Sequence, residues 1–211
     1  DNIDIVINEL DALAHIDLKT KEIKAIGRTL NIVRIGTSGS VQADIPVDSF
    51  VISEKSIGCD GVLRFYANNE SVCDHPFEEA FIRHCRWTPS AARPYVVNAD
   101  PGLVDRLYDE EHTIKGVTLT AVGFYGPQGR VLRLPLAMPG INDRITAFRY
   151  EGYKVTNYEM ESAAITGLCN LLGHRAATIC LIIANRINGD ASADYHSYMN
   201  KLIRYTLEKL S

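Results

Sequence analysis

The sequence predicts an α/β fold: one domain in which helices flank a mixed, mostly parallel central sheet. Short apolar segments typical of strands alternate along the chain with segments of helical periodicity. Residues 176–185 are apolar on both faces, as expected for a strand buried inside a parallel sheet. A length of 211 residues suits one such domain, and the sequence contains no internal repeat or linker.

The first half of the chain opens with an apolar helical stripe, for which Asp1 or Asn2 can act as the N-cap. Asp100 followed by Pro101 is a typical helix start. The predicted elements, in order, are a helix over 1–14 with core positions Ile3, Val6, Ile7, Leu10, Leu13 and Ala14, a strand at 31–36 ending in a Thr-Ser-Gly turn, a strand around 47–53, a helix at 75–87, a strand at 94–99 and a helix from 101 to about 111.

In the second half, an apolar stripe from Ala164 to Leu172 predicts a helix, and Gly173 is the glycine that commonly follows a helix end. The final helix has the same 3.6-residue period. The predicted elements, in order, are a strand at 116–124, a helix at 141–151, a helix from about 159, the strand at 176–185, and a helix at 194–210 with core positions Met199, Leu202, Ile203, Leu207 and Leu210.

Composition excludes several classes of function. The net charge is -4, from 22 basic and 26 acidic residues, and no basic cluster suggests nucleic acid as a partner. No apolar stretch predicts a membrane span, and the N-terminus lacks a signal-peptide layout. Five cysteines without CxxC spacing predict a reduced, cytoplasmic protein. The spacing of Cys73, His75, His84 and Cys85 does not match structural zinc sites, so we predict no metal.

Four polar segments follow predicted strands or interrupt their ends: 34–39, 123–130, 157–161 and 185–186. Ligands of open α/β sheets bind beyond the carboxyl ends of the strands. The sequence therefore predicts that these segments meet in one site, with Asn185 and Arg186 at its mouth.

Arg34 interrupts an apolar strand and is followed by the small residues Gly36, Thr37 and Ser38. A cation beside a turn with free amides and hydroxyls suits phosphate or another oxyanion. The alternative is an arginine of an edge strand, paired with a carboxylate and followed by an ordinary turn.

The glycine-rich loop 123–130 combines an aromatic ring, an amide and a guanidinium in Phe124, Gln128 and Arg130. The amide and guanidinium could bind the edge of a planar imide while the ring covers its face. A flexible surface loop with a solvated arginine is the alternative.

Glu159, Met160 and Glu161 lie where an extended segment passes into a helix. A carboxylate at this junction is stabilised by backbone amides and the helix dipole, and it can accept both hydroxyls of a cis-diol. The alternative is the ordinary preference for acidic residues in the first turn of a helix.

Together these segments resemble the nucleoside phosphorylase family, and within it the uridine phosphorylases. The resemblance follows chain order over nearly the whole sequence and is carried by residues 34–39, 124–130, 157–162 and 185–186. It implies phosphate binding by Arg34 and Thr37, within the turn that contains Gly36 and Ser38. It implies uracil binding by Phe124, Gln128 and Arg130, with Arg186 closing the base pocket. Met160 and Glu161 would bind ribose, and Glu159 would support them.

The implied reaction is phosphorolysis of uridine to uracil and ribose 1-phosphate, with inorganic phosphate as co-substrate and no cofactor. Gln128 and Arg130 would stabilise the departing uracil, and Glu161 would hold the ribose. The resemblance also implies a homo-oligomer, a hexamer built from dimers. The alternatives are a purine nucleoside phosphorylase, a nucleosidase that uses water, and a nucleoside-binding protein without turnover.

The chain departs from the family pattern in three places. Ser38 replaces a common threonine, and Gly126-Pro127 changes the usual order of the loop. Family members also carry a Gly-Asp-Pro phosphate loop in an N-terminal portion. By resemblance, residues 1–211 form a nucleoside phosphorylase domain without that portion. Because the strand at 31–36 is apolar around Arg34, we expect it to be paired on both sides in the native protein. Residues 1–14 are predicted to be helical and 17–25 are rich in charge, so we expect an upstream segment to supply the neighbouring strands and further phosphate ligands.

Overall fold

The computed structural model describes residues 2–211, which form one mixed sheet surrounded by helices. The helices are α1 Ile3–His15, α2 His75–Cys85, α3 Pro101–Leu107, α4 Ile141–Ala147, α5 Ser162–Leu171 and α6 Tyr195–Leu210. The strands are β1 Asn31–Ser40, β2 Phe50–Gly58, β3 Tyr95–Asn98, β4 Thr113–Thr120, β5 Arg149–Tyr150, β6 Tyr153–Glu159, β7 Arg175–Asn185 and β8 Asp190–Ala191.

The strand order is β3-β2-β4-β6-β1-β7-β8, and β5 pairs with β6 outside this path. Because β2 also pairs with β7, strands β2, β4, β6, β1 and β7 close into a ring. The two longest ladders, β1–β7 and β2–β4, are parallel, whereas β1–β6 and β2–β7 are short antiparallel contacts. The predicted α/β fold with a mixed, mostly parallel sheet is confirmed.

The strand β7 is covered on both faces, as its apolar sequence predicts. Ala176 belongs to a buried cluster with residues of α1 and α5, and Ile179 and Leu181 belong to another with residues of α3 and α6. A third cluster packs α2 and α4 against β2, β4 and β6. Burial of this apolar surface is the main stabilising contribution, and it holds the carboxyl ends of β1, β6 and β7 together.

The helix start predicted at Asp100 is confirmed, because its carboxylate accepts a hydrogen bond from the amide of Leu103 at 2.9 Å. Several element bounds differ from the prediction. The third helix, α3, ends at Leu107 instead of near 111, and β2 runs from Phe50 to Gly58 instead of over 47–53. The strand predicted at 116–124 spans Thr113–Thr120, and the helix expected from 159 begins at Ser162.

The helix predicted over 141–151 ends at Ala147, where the chain turns into a hairpin. Arg149–Tyr150 pairs with Tyr153–Lys154 across a turn at Glu151 and Gly152. Both turn residues have positive φ, 49° and 81°, which a helix does not permit.

The turn predicted at 37–39 is wrong. The strand β1 continues to Ser40 and pairs with β7 along its whole length, with an irregularity between Ser38 and Gly39. The backbone of this segment is therefore extended and does not form a turn.

Within the described residues, strand β1 is paired along its whole length on one side only. Its second neighbour within the described residues, β6, pairs only with Gly39 and Ser40. The edge of residues 31–38 that faces away from β7 has no strand partner in the part of the chain that the structure describes.

Some positions predicted to be core are exposed. In α1 only Ile7 is fully buried, while Val6, Leu10 and Leu13 are exposed. In α6, Leu202 is buried, whereas Ile203 and Leu207 are exposed. Across residues 2–211, no helix combines the length and the apolar character that crossing a membrane requires.

Candidate functional site

Residues from all four predicted segments line one cleft of about 350 Å³ at the carboxyl ends of β1, β6 and β7. The loop after β4 closes its far side. The predicted site residues in its wall are Arg34, Thr37, Ser38, Phe124, Gln128, Arg130, Glu159, Met160, Glu161 and Arg186. Gly36 lies beneath the Arg34 side chain, and Asn185 is buried outside the cleft.

The phosphate and ribose groups predicted from sequence meet at one corner of the cleft. Arg34 Nη2 donates a short hydrogen bond to the Glu161 carboxylate, and Nη1 lies 3.4 Å from Glu159 Oε2. The guanidinium is largely buried, whereas the Glu161 side chain is one-third exposed. The ion pair of the alternative prediction is therefore present, whereas the ordinary turn that it expects after Arg34 is replaced by strand.

Glu159 joins this corner to the start of α5. Its Oε2 accepts hydrogen bonds from the backbone amides of Glu161 and Ser162, both at 2.8 Å. Its Oε1 accepts the hydroxyl of Thr120 at 2.5 Å. These bonds satisfy free amides at the helix N-terminus, and they give the buried carboxylate a fixed position.

Burial raises the pKa of Glu159, and Arg34, the Thr120 hydroxyl and the two backbone amides oppose this shift. Burial alone would lower the pKa of Arg34, but the surrounding Cys180, Glu159 and Glu161 raise it above the ordinary arginine value. Arg34 is therefore a permanent cation in a corner that also holds two carboxyl groups.

The backbone and β7 also hold Arg34 in place. A Cβ atom at Gly36 would collide with the guanidinium, so only glycine lets the side chain fold back over its own strand. Arg34 Nη1 also donates to the sulfur of Cys180 at 3.2 Å. Burial raises the pKa of the Cys180 thiol to about 12, so this sulfur is a neutral acceptor at pH 7.

Two guanidinium groups converge on one amide at the opposite side of the cleft. Gln128 Oε1 accepts from Arg130 Nη1 at 2.8 Å and, by a short bond, from Arg186 Nη2. Arg130 Nη1 also donates to the carbonyl of Phe124 at 2.6 Å. Gln128 is buried, which contradicts the alternative of a flexible surface loop for this residue.

Each of these cations stacks on an aromatic ring. Arg130 lies 3.8 Å from the ring centroid of Phe124, and Arg186 lies 4.4 Å from that of Tyr158. Burial, together with the nearby Arg130, lowers the pKa of Arg186 to about 10. Both groups are still cations at pH 7, so this side of the cleft can stabilise negative charge on a planar ligand.

Asn185 does not have the predicted place at the mouth of the site. Its Nδ2 donates to the carbonyls of Gln42 and Ile45, and its Oδ1 accepts from the amides of Ile187 and Asn188. This residue ties the loops around the end of β7 together. It positions Arg186, the next residue, without lining the cleft.

Sequence reasoning gave no role to the side chains of Tyr158, Thr120 and Cys180. Tyr158 forms part of the cleft wall, Thr120 binds Glu159, and Cys180 binds Arg34. A strand places alternate side chains on opposite faces, and sequence alone does not say which face meets the site. Tyr158 lies within the predicted segment 157–161, so its place beside the site was implied although its ring was given no role.

The comparisons with known proteins agree with this geometry. Residues 5–206 match the family described as the phosphorylase superfamily. This chain belongs to that superfamily. The match covers nearly all of the sequence and includes every element that contributes to the cleft.

Curated relatives include uridine phosphorylases. The chain is 26% identical to the uridine phosphorylase of Thermococcus kodakarensis over 176 residues. This alignment covers 81% of this chain and 53% of that protein. It is 36% identical over 160 residues to uridine phosphorylase A of Schistosoma mansoni, covering 75% of this chain and 49% of that protein. The chain thus spans about half the length of these relatives.

Among solved structures, the fold is similar to that of a nucleoside phosphorylase from Trypanosoma brucei described as showing uridine phosphorylase activity. The TM-score is 0.84 at 25% identity, over 100% of this chain and 76% of that one. A uridine phosphorylase from Schistosoma mansoni has the same fold at 22% identity, with a TM-score of 0.61 over 98% of this chain and 66% of that one.

Proposed function

We propose that the protein catalyses phosphorolysis of uridine, which gives uracil and ribose 1-phosphate. The observation that carries this proposal is the composition of the cleft. Arg34 and the carboxylate of Glu161 lie at one end, and Gln128, Arg130 and Arg186 lie at the other. Arg34 suits an oxyanion, and the Glu161 carboxylate suits a diol. The three residues at the other end suit a base that leaves with negative charge.

In the proposed reaction, phosphate is held by Arg34 and the hydroxyl of Thr37. A phosphate oxygen forms a bond to the anomeric carbon as the bond to the uracil nitrogen breaks, and the electron pair leaves with the base. Glu161 accepts the ribose hydroxyls and keeps the sugar aligned between the nucleophile and the leaving group. Met160 contacts the sugar from the same segment, and Glu159 supports both.

The departing uracil carries negative charge on its ring and oxygens. Arg130 and Arg186 can stabilise this charge, and Gln128 is held between them by both guanidinium groups. Phe124 lies over Arg130 and can cover a face of the ring. No protein nucleophile or organic cofactor is needed, because the chemistry is electrostatic stabilisation of the leaving group.

Arg186 also favours a pyrimidine base over a purine. A purine leaves most easily when an acid protonates its N7 atom, and a cation stacked on Tyr158 cannot supply that proton. Among the described residues that line the cleft, the two carboxylic acids, Glu159 and Glu161, lie at the end occupied by Arg34.

A second candidate is nucleoside binding without turnover. It is favoured by one relative, the inactive uridine phosphorylase B of Schistosoma mansoni, which is 36% identical over 87 residues, 36% of this chain. We further propose a homo-oligomer, a hexamer built from dimers, in a reducing cytoplasmic compartment. The five unpaired cysteines agree with such a compartment.

The test is product analysis with a panel of nucleosides. The protein is incubated with uridine, deoxyuridine, inosine or adenosine, with and without inorganic phosphate. We expect uridine cleavage only with phosphate, and ribose 1-phosphate as the sugar product. Free ribose in phosphate-free buffer would identify a nucleosidase, and tight uridine binding without product would support the second candidate.

A further inference from the structure

The guanidinium of Arg34 has two different environments. Nη1 faces inward, 3.4 Å from Glu159 and 3.2 Å from the sulfur of Cys180, and both of these partners are buried. Nη2 faces Glu161, whose side chain is one-third exposed in the cleft wall. The inner partners hold the arginine in place, and the outer partner can be replaced by a ligand.

The inner partner is the more firmly held of the two carboxylates. Glu159 receives the Thr120 hydroxyl and the backbone amides of Glu161 and Ser162, whereas the structure gives the Glu161 carboxylate no hydrogen bond within residues 2–211 besides that from Arg34. The Glu161 side chain can therefore leave Arg34 without disturbing the start of α5.

Glu161 and a phosphate ion would compete for the same donor. With both carboxylates ionised, Arg34 cannot neutralise the corner, so a phosphate dianion would meet negative charge until Glu161 moves away. Phosphate that replaces Glu161 at Nη2 would form an ion pair with Arg34. The Glu161 carboxylate would then be free to accept the ribose hydroxyls.

We propose that Glu161 acts as an exchange partner which couples the two substrates: phosphate displaces it from Arg34, and only then does it bind the nucleoside fully. Glu159 is the positioning residue that keeps Arg34 in place during the exchange. This proposal rests on the proposed function for the identity of the ligands. Coupling is reciprocal, so each ligand increases the affinity for the other.

The test uses calorimetry with sulfate as an unreactive phosphate analogue and uridine as the nucleoside. In the unmodified protein we expect saturating sulfate to tighten uridine binding at least about fivefold, the lower end of typical coupling. In Glu161→Gln, the amide no longer forms an ion pair with Arg34. Sulfate should then bind more tightly than to the unmodified protein, uridine should bind more weakly, and the coupling should disappear.

Glu79→Gln is the matched control. Glu79 lies in α2, outside the cleft, and forms an exposed ion pair with Arg93. The substitution removes the same charge as Glu161→Gln and should change neither the sulfate affinity nor the uridine affinity. Uridine affinity that is independent of sulfate in the unmodified protein, or weaker sulfate binding in Glu161→Gln, would overturn the exchange.

The sulfate and uridine measurements together separate this proposal from the proposed function. Tighter sulfate binding in Glu161→Gln, with no uridine binding in any variant, would support competition for Arg34 and overturn both the coupling and the assignment of uridine. Uridine binding and phosphorolysis with no sulfate effect would leave the proposed function intact and overturn the exchange.

Discussion

The Glu161 carboxylate is the more exposed half of an ion pair whose other half, Arg34, is largely buried. Replacement by alanine should remove the charge-assisted bonds to ribose and lower kcat/KM by at least about 100-fold, since loss of a preorganised contact costs roughly 2–4 kcal/mol. Steady-state kinetics with uridine and phosphate measure this. Near-normal kinetics with an unchanged melting temperature would mean that the residue only favours the helix start.

Arg130 is expected to determine which base is cleaved. Its guanidinium binds Gln128 and stacks on Phe124, so Arg130→Ala should remove a cation and leave the amide held only by Arg186. We expect uridine turnover to fall far more than any residual turnover of inosine. The ratio of the two kcat/KM values measures the effect, and Arg133→Ala, in an exposed arginine of the same loop, is the control. A preference for inosine in the unmodified protein would contradict the role given to Arg186.

At the scale of elements, β1 carries two glycines, each lying under a different arginine. A Cβ atom at Gly36 would collide with Arg34, and one at Gly39 would lie 3.2 Å from Arg186 Nε. Both neighbours are ends of flexible side chains, so the substitutions should move the arginines and leave the fold intact. Gly36→Ala should raise the KM for phosphate by about tenfold or more, and Gly39→Ala should chiefly raise the KM for uridine.

The two variants control for each other, because they add the same methyl group to the same strand. Equal effects on both KM values, or a large fall in melting temperature for either, would indicate general disruption of β1. A separate effect on each substrate would support the division of the cleft into a phosphate end and a base end.

The elements predicted from sequence were those whose local signals agree with their burial. The apolar run of β7 and the Asp100 cap of α3 are such cases, since the signals lie within a few residues. The segment 37–39 was predicted wrongly because small residues favour turns locally, whereas pairing of Thr37, Ser38 and Gly39 with β7 keeps it extended. The apolar residues of α1 recur with helical periodicity, which predicts a buried face, yet several of them are exposed. Periodicity does not say how much of an apolar face packs against the rest of the protein.

The candidate site was largely predictable because its chemistry lies in short segments at the ends of strands. Arg34, Gln128, Glu161 and the other polar residues of those segments do meet in one cleft, and their roles are still predictions. Cys180 and Thr120 could not be found in this way. They reach the site through strand pairing between segments distant in sequence, which brings β7 beside β1 and β4 beside β6.

At the scale of the whole molecule, the ring of strands is unevenly closed. β7 has neighbours on both sides at Ile179, Cys180 and Leu181, through β1 and β2. Residues 31–38 of β1 pair with β7 alone within the described residues, and the contact with β6 is confined to Gly39 and Ser40. The Arg34 side chain thus projects from a strand with one paired edge, and its position depends on β7 and on its carboxylate partners.

This asymmetry predicts a pattern of amide hydrogen exchange. In a parallel ladder the amides of a strand point alternately toward each neighbour, so about half of those in 31–38 should exchange rapidly. Those of residues 179–181 should be among the slowest, because opening them disrupts both ladders and the core beneath. Exchange measured residue by residue by NMR tests this. If all amides of 31–38 were as slow as those of β7, the free edge would be covered in solution, and light scattering at several protein concentrations would then show whether a second copy covers it.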